Sequence, residues 1–122
     1  MKKHFKCYLT DEGINVEIND FRLLISYDYP SVTWDKMKEQ AEALGGKLPT
    51  WDQAMSVYEH KEEINEVLKE AGKPELSGWM WIDREHSTDN RFAWLVLVYN
   101  GYTYYSYKFD TNYVLAVSAF QL

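Results

Sequence analysis

The chain has 122 residues, a mass of 14.5 kDa and a formal net charge of −6, with 46% hydrophobic and 16% aromatic residues. That is enough for one domain with its own core, and too apolar for a disordered chain. No run approaches the roughly 18 apolar residues of a membrane span, and no basic stripe offers itself to phosphate, which argues against nucleic acid as a partner.

The start, Met1-Lys2-Lys3-His4-Phe5-Lys6-Cys7, has the basic opening of a signal peptide, but Asp11 and Glu12 follow before any apolar stretch develops. A cytoplasmic or virion-associated location is the expectation, with the cell surface open if a leader has been removed. Cys7 is the single cysteine, so no internal disulfide can form, and an inert strand residue is expected there over an activated thiol. Residues 4–9 and 14–19 alternate about Asp11-Glu12-Gly13 and read as an N-terminal hairpin, an extension over residues 1–20 of one domain spanning 1–122. Phe21 to Ser26 reads as a buried strand that Pro30 ends.

Two helix starts follow with the same chemistry. Thr33-Trp34-Asp35 and Thr50-Trp51-Asp52 each place a hydroxyl at the N-cap and a carboxylate at the positive end of the helix dipole. Thr50 and Gln53 also have capping-box spacing. The first helix buries Trp34, Met37, the Lys38 stem, Ala41 and Leu44, and Gly45-Gly46 stops it. The second carries Ala54, Met55 and Tyr58. A third stretch, Lys61 to Ala71, shows Ile64, Val67 and Leu68 before Gly72 and Pro74.

From Trp79 the period changes to two. Trp79 to Ile82 reads as a strand, Asp83 to Asn90 as a polar loop, Phe92 to Tyr99 and Tyr102 to Lys108 as a hairpin about Asn100-Gly101, and Tyr113 to Phe120 as a last strand. Strands, then helices, then strands make an α+β domain. A two-residue turn pairs Tyr99 with Tyr102, Leu97 with Tyr104 and Leu95 with Ser106 on one face. Val98 then pairs with Thr103, Val96 with Tyr105 and Trp94 with Tyr107 on the other. Trp94, Val96 and Val98 are the better core set, so Tyr105 and Tyr107 are expected to pack beside them. Leu95, Leu97, Tyr99, Tyr102 and Tyr104 would point outward, a patch that a monomer rarely exposes without using. Six tyrosines lie between Tyr99 and Tyr113, among Asn, Ser, Thr, Asp and Gly. That is the composition of antibody-like recognition surfaces.

The run Gly45 to Thr50 (G-G-K-L-P-T), Leu76-Ser77-Gly78-Trp79-Met80-Trp81, Ala93-Trp94 before Asn100-Gly101, and Val114 to Phe120 together resemble bacterial C-type-lectin-like domains of the Lcl C-terminal type. The resemblance covers about Phe21 to Phe120. It implies two main helices packed on a twisted antiparallel sheet that displays ligand-binding loops. Within that group the chain is similar to the variable proteins of diversity-generating retroelements of phages and gut bacteria, whose C-terminal hairpin region carries the diversified positions. Val114-Leu115-Ala116-Val117 has Leu where that group usually shows Arg. The calcium-binding Glu-Pro-Asn and Trp-Asn-Asp triplets of sugar-binding C-type lectins are absent, so calcium-dependent sugar binding is not implied. The paired cysteines of formylglycine-generating enzymes, which share the fold, are absent too.

Little points to catalysis. Asp83, Glu85, His86 and Asp89 gather in one segment, yet their spacing matches no metal-ligand pattern, and a solvated polar loop is expected. His4 and His60 stand alone, and no nucleophile, base and orienting group occur with placed partners. The expectation is a non-catalytic module without cofactor or metal. Its ligand-binding residues would be Leu95, Leu97, Tyr99, Tyr102, Tyr104, Ser106, Asp110 and Asn112, with Arg84 and His86 from the preceding segment. The partner would be a protein or a surface glycan. A structural subunit using the same patch for homo-oligomer or appendage assembly is the alternative.

Overall fold

The computed structural model describes residues 4–26, 32–111 and 114–122, so Pro30, Asn112 and Tyr113 fall outside the described residues. Strands β1 (Phe5–Leu9), β2 (Gly13–Ile18), β3 (Phe21–Ser26) and β7 (Val117–Gln121) form one antiparallel sheet in the order β1-β2-β3-β7. Strands β4 (Trp79–Glu85), β5 (Phe92–Leu97) and β6 (Thr103–Tyr107) form a second, in the order β4-β5-β6. Helices α1 (Trp34–Ala43), α2 (Trp51–Glu59) and α3 (Lys61–Glu70) lie between them in the chain, and the fold is α+β.

In the first sheet, alternation sorts the side chains cleanly. Val16 pairs with Leu23 and Leu23 with Ala119, while Ile14 pairs with Ile25 and Ile25 with Val117; all are buried in the main core. The N-terminal hairpin is thus part of that core through Ile14, Val16 and Ile18. The other face is polar. Tyr8 donates to Glu17, Arg22 donates to Asn15, and the Arg22 guanidinium lies over the Phe120 ring.

The helix starts form as their caps dictate. The Thr33 hydroxyl accepts from the Lys36 amide, and Thr50 and Gln53 make both bonds of a capping box. Trp34, Met37 and Ala41 are buried along α1, but Leu44 is exposed, because α1 ends at Ala43 and Leu44 occupies its C-cap. Ala54 and Val57 of α2 and Ile64 and Leu68 of α3 enter the main core. His60 alone separates these helices, capping one and opening the next.

The second sheet is covered on both faces over β4 and β5. Met80, Ile82, Val96 and Val98 join the main core. Trp81, Ala93 and Leu95 turn the other way, into a second cluster with Trp34, Met37 and Ala41 of α1 and with Val32, Leu48 and Val114. Two indoles tie the start of α1 to β4: Trp34 donates to the Ile82 carbonyl at 3.0 Å and Trp81 to the Val32 carbonyl at 3.2 Å. Leu115 is buried in the main core. No helix is long and apolar enough to cross a membrane.

Several expectations are corrected. β4 continues to Glu85, so Asp83, Arg84 and Glu85 are strand residues and not part of a loop. The hairpin register differs by two: Leu95 pairs with Tyr104, Trp94 with Tyr105 and Val96 with Thr103. A two-residue type I′ turn needs positive φ at both Asn100 and Gly101, and of the two only Gly101 has it. The chain instead makes a wider loop in which the Gly101 amide donates to the Leu97 carbonyl and the Leu97 amide to that of Tyr102. Because the shift is even, each residue keeps its face, and Val96 and Val98 are core residues as expected. Leu95 is not outward: it is buried, because α1 covers the face that was expected to meet water. Tyr105 and Tyr107 are exposed instead of packed, because β6 is an edge strand and α2 reaches it only at Thr103, through the Trp51 indole. Trp94, expected in the core, is half-buried at that margin. The last strand starts at Val117, with Val114 joined to Trp79 by an isolated parallel bridge.

Candidate functional site

Nine large hydrophobic side chains are exposed among the described residues, and six of them fall in one segment: Tyr99, Tyr102, Tyr104, Tyr105, Tyr107 and Phe109. The cause is topological. β6 has a neighbour on one side only, and α1 and α2 pack over β4 and β5 but meet β6 at its start, where the Trp51 indole donates to the Thr103 hydroxyl, so Tyr104, Tyr105 and Tyr107 have no layer to bury into. The strand is rigid because β5, against which it pairs over five residues, is packed on both faces.

On the α1 side of the sheet, Tyr104 stands opposite Leu95, and its ring meets Trp79 edge-on at 5.7 Å between centroids. Tyr102 lies 6.0 Å from Tyr104. Below these rings opens a cleft of about 290 Å³, lined by Trp79, Trp81, Leu95, Tyr104, Tyr105 and Val114, with Ser106 and Asp110 as its polar members. The Ser106 hydroxyl donates to the Asp110 carboxylate at 2.8 Å, and the Asp110 amide closes a turn onto the Tyr107 carbonyl.

On the opposite face the aromatics form a continuous ladder. The His86 ring stacks on Trp94 at 5.8 Å and leans on Tyr105 at 4.6 Å. Tyr105 meets Phe92, Phe92 meets Tyr107, and Tyr107 stacks on Phe109, all within 5.5 Å between centroids. The Arg84 guanidinium lies over Trp94 at 5.7 Å.

The residues singled out from the sequence therefore divide. Leu95, Tyr104, Ser106 and Asp110 come together at the cleft, with Tyr102 beside it; Leu95 contributes from the buried floor. Leu97 is half-buried opposite Trp79. Tyr99 stands apart at the hairpin loop, three-quarters exposed, where Lys61 of α3 donates to its carbonyl and lies over its ring. Arg84 and His86 belong to the ladder face. Asn112 lies outside the described residues. Sequence reasoning missed Trp79, Trp81 and Val114 as cleft walls, and Phe92, Tyr107 and Phe109 as ladder members. The period-two alternation of Trp79-Met80-Trp81-Ile82 held the signal for the tryptophans, since it places both on one face.

The charged groups near the site are paired locally. Lys108 bonds Glu85 at 2.7 Å, lies over Trp34, and draws the Glu85 carboxyl below its ordinary value. Arg91 clasps Asp89 through its side chain and backbone and pulls that carboxyl down to about 2. Among the described residues, no three His, Cys, Asp or Glu side chains gather as metal ligands. The arrangement offers aromatic faces, hydroxyls and one carboxylate, which suits binding by packing and hydrogen bonds.

No family model, curated protein or solved structure matches the chain.

Proposed function

We propose that this protein is a non-catalytic binding module of C-type-lectin-like architecture, similar to the variable proteins of diversity-generating retroelements. It presents the surface of β6 and the Tyr99–Tyr102 loop to a protein or a surface glycan. The observation that carries this reading is the concentration of exposed rings on one rigid edge strand. Rigid tyrosines on an immobile sheet lose little conformational freedom on contact, so modest contacts yield useful affinity. The α+β content, the two antiparallel sheets and the presentation of the hairpin at their margin support the architecture.

The same edge supports a second reading, a structural subunit in which β6 pairs with another copy, because an uncovered edge strand is a template for pairing. The test is a panel of cell-surface proteins and glycans probed with the native chain and with a Tyr99→Ala/Tyr102→Ala variant. The expected result is a captured ligand whose binding the variant weakens while its urea unfolding stays unchanged. A stable dimer at micromolar concentration in sedimentation, dissociated by the same variant, would overturn the binding-module reading in favour of self-assembly.

A further inference from the structure

Two open sheets have four edges, and the chain guards three of them. At β7, Lys47 and Ala119 exchange both backbone hydrogen bonds, at 2.8 and 2.7 Å. At β4, which also carries a bulge, the Leu115 amide donates to the Trp79 carbonyl and the Asp83 amide to that of Pro49. β1 carries Lys6, and its Phe5 ring stacks on His60 at the head of α3. Charge, bulges and cover are the ordinary means by which a sheet avoids unwanted pairing. The remaining edge, Thr103-Tyr104-Tyr105-Ser106-Tyr107 of β6, has no charge, no proline and an unbroken register.

The ladder decides which backbone groups face that edge. The Leu97 amide donates to the Tyr102 carbonyl and the Lys108 amide to the Arg91 carbonyl. In the antiparallel pattern between them, the even-numbered residues of β6 bond to β5 and the odd-numbered ones turn away. The outward groups are the amides of Thr103, Tyr105 and Tyr107 and the carbonyls of Thr103 and Tyr105; the Tyr107 carbonyl accepts from the Asp110 amide at 2.9 Å. Among the described residues, none of these outward amides and carbonyls of Thr103 and Tyr105 has a partner.

We propose that an extended segment of a different protein adds to β6 as a further strand of the second sheet, pairing its backbone with Thr103 and Tyr105. This inference rests on the binding-module reading and assigns its partner class. A glycan does not repeat an amide donor and a carbonyl acceptor at strand spacing, whereas an extended peptide matches the alternation of this edge. The incoming side chains alternate between the Tyr104 face and the face of Tyr105 and Tyr107, which favours β-branched or aromatic residues. A second copy is opposed by its own net charge of −6, and the same field draws in a basic partner. β6 is already ordered by β5, so only the incoming segment loses chain freedom.

The test follows backbone amide hydrogen exchange of the full chain by NMR while capped heptapeptides are added, Lys-Val-Thr-Val-Thr-Val-Lys and Lys-Thr-Tyr-Thr-Tyr-Thr-Lys. The same peptides with N-methylated central amides keep the side chains and charge but cannot donate. In the free chain the Thr103 and Tyr105 amides should exchange rapidly and those of Tyr104 and Ser106 slowly. At least one peptide, at about millimolar concentration, should slow Thr103 and Tyr105 about tenfold or more, and its methylated form should not. Tyr105→Val keeps the outward amide and should bind within about threefold of the native chain. Tyr105→Pro removes that amide, at a position where an edge strand admits proline, and should weaken binding about tenfold or more. Slow exchange at Thr103 and Tyr105 in the dilute free chain, equal protection by the methylated peptides, or no protection by either peptide through about 10 mM would each overturn the proposal. So would a Tyr105→Val loss as large as that of Tyr105→Pro, or protection that rises with protein concentration alone, which assigns the edge to a second copy. The exchange comparison on the native chain decides the matter even where the proline variant folds poorly. Failure here with the Tyr99/Tyr102 effect intact removes strand addition alone, whereas loss of the Tyr99/Tyr102 effect removes the surface reading itself.

Discussion

Leu95 and Tyr104 face each other across β5 and β6, yet they should respond to truncation in opposite ways. Leu95 is 5% exposed and packed in the cluster beneath α1, whereas Tyr104 is 53% exposed. Leu95→Ala removes three buried carbons, about 2.4 kcal/mol at ~0.8 kcal/mol each. A residual void on the order of 50 Å³ adds about 1 kcal/mol more. The expected loss is therefore about 3.5 kcal/mol, which in a domain of this size lowers Tm by roughly 10–15 °C. Tyr104→Ala loses its edge contact with Trp79 and little buried area, about 0.5–1 kcal/mol. Urea unfolding followed by tryptophan fluorescence measures both, and unchanged m-values show that the denatured state is not responsible for the difference. A Leu95 variant within about 1 kcal/mol of the native chain, or a Tyr104 variant as damaging as that of Leu95, would refute the double-sided burial of β5.

Two further outcomes are expected. Gly101 has φ +75, and an added Cβ would lie 3.0 Å from the Tyr58 ring and 3.1 Å from the Met55 methyl, so Gly101→Ala should cost about 2–3 kcal/mol in urea unfolding. Gly45 has φ +85 but open space around it, so Gly45→Ala should cost about 1 kcal/mol, and equal costs would remove the packing argument. The Asp89 carboxyl, held down to about 2 by Arg91, favours the folded state above the ordinary carboxylate value near 3.8 and loses that contribution as pH falls through about 2. Carboxyl NMR should show Asp89 titrating near 2, returning toward 3.8 in Arg91→Ala; a native midpoint already near 3.8 would show that the clasp does not persist in solution.

The first three strands and the helix starts were legible because their determinants are local. Alternation fixes the faces of residues 14–18 and 21–25, and a threonine hydroxyl caps a helix wherever the tertiary structure lies. The second sheet was harder. Ala93-Trp94-Leu95-Val96-Leu97-Val98 is an unbroken apolar run, the mark of a strand covered on both faces. Treating it as half-buried assigned Leu95 to solvent. The hairpin register was misjudged because Asn100-Gly101 favours a tight turn locally, whereas Val98 is drawn into the core and holds the loop open. Of the candidate site, the tyrosines were visible as composition, but the cleft depends on Trp79, Trp81, Val114 and Asp110, which are separated in sequence and converge only through the pairing of β4 with β5 and the Trp79–Val114 bridge.

The two-sided anchoring of β4 and β5 has a consequence for how the neighbouring strand can change. Cohesion resides in layers to which Tyr105, Tyr107 and Phe109 contribute little, so replacing these rings should alter the surface the protein presents far more than whether it folds. A library varied only at those outward positions would remain largely folded, and selection could then act on affinity almost independently of thermal endurance.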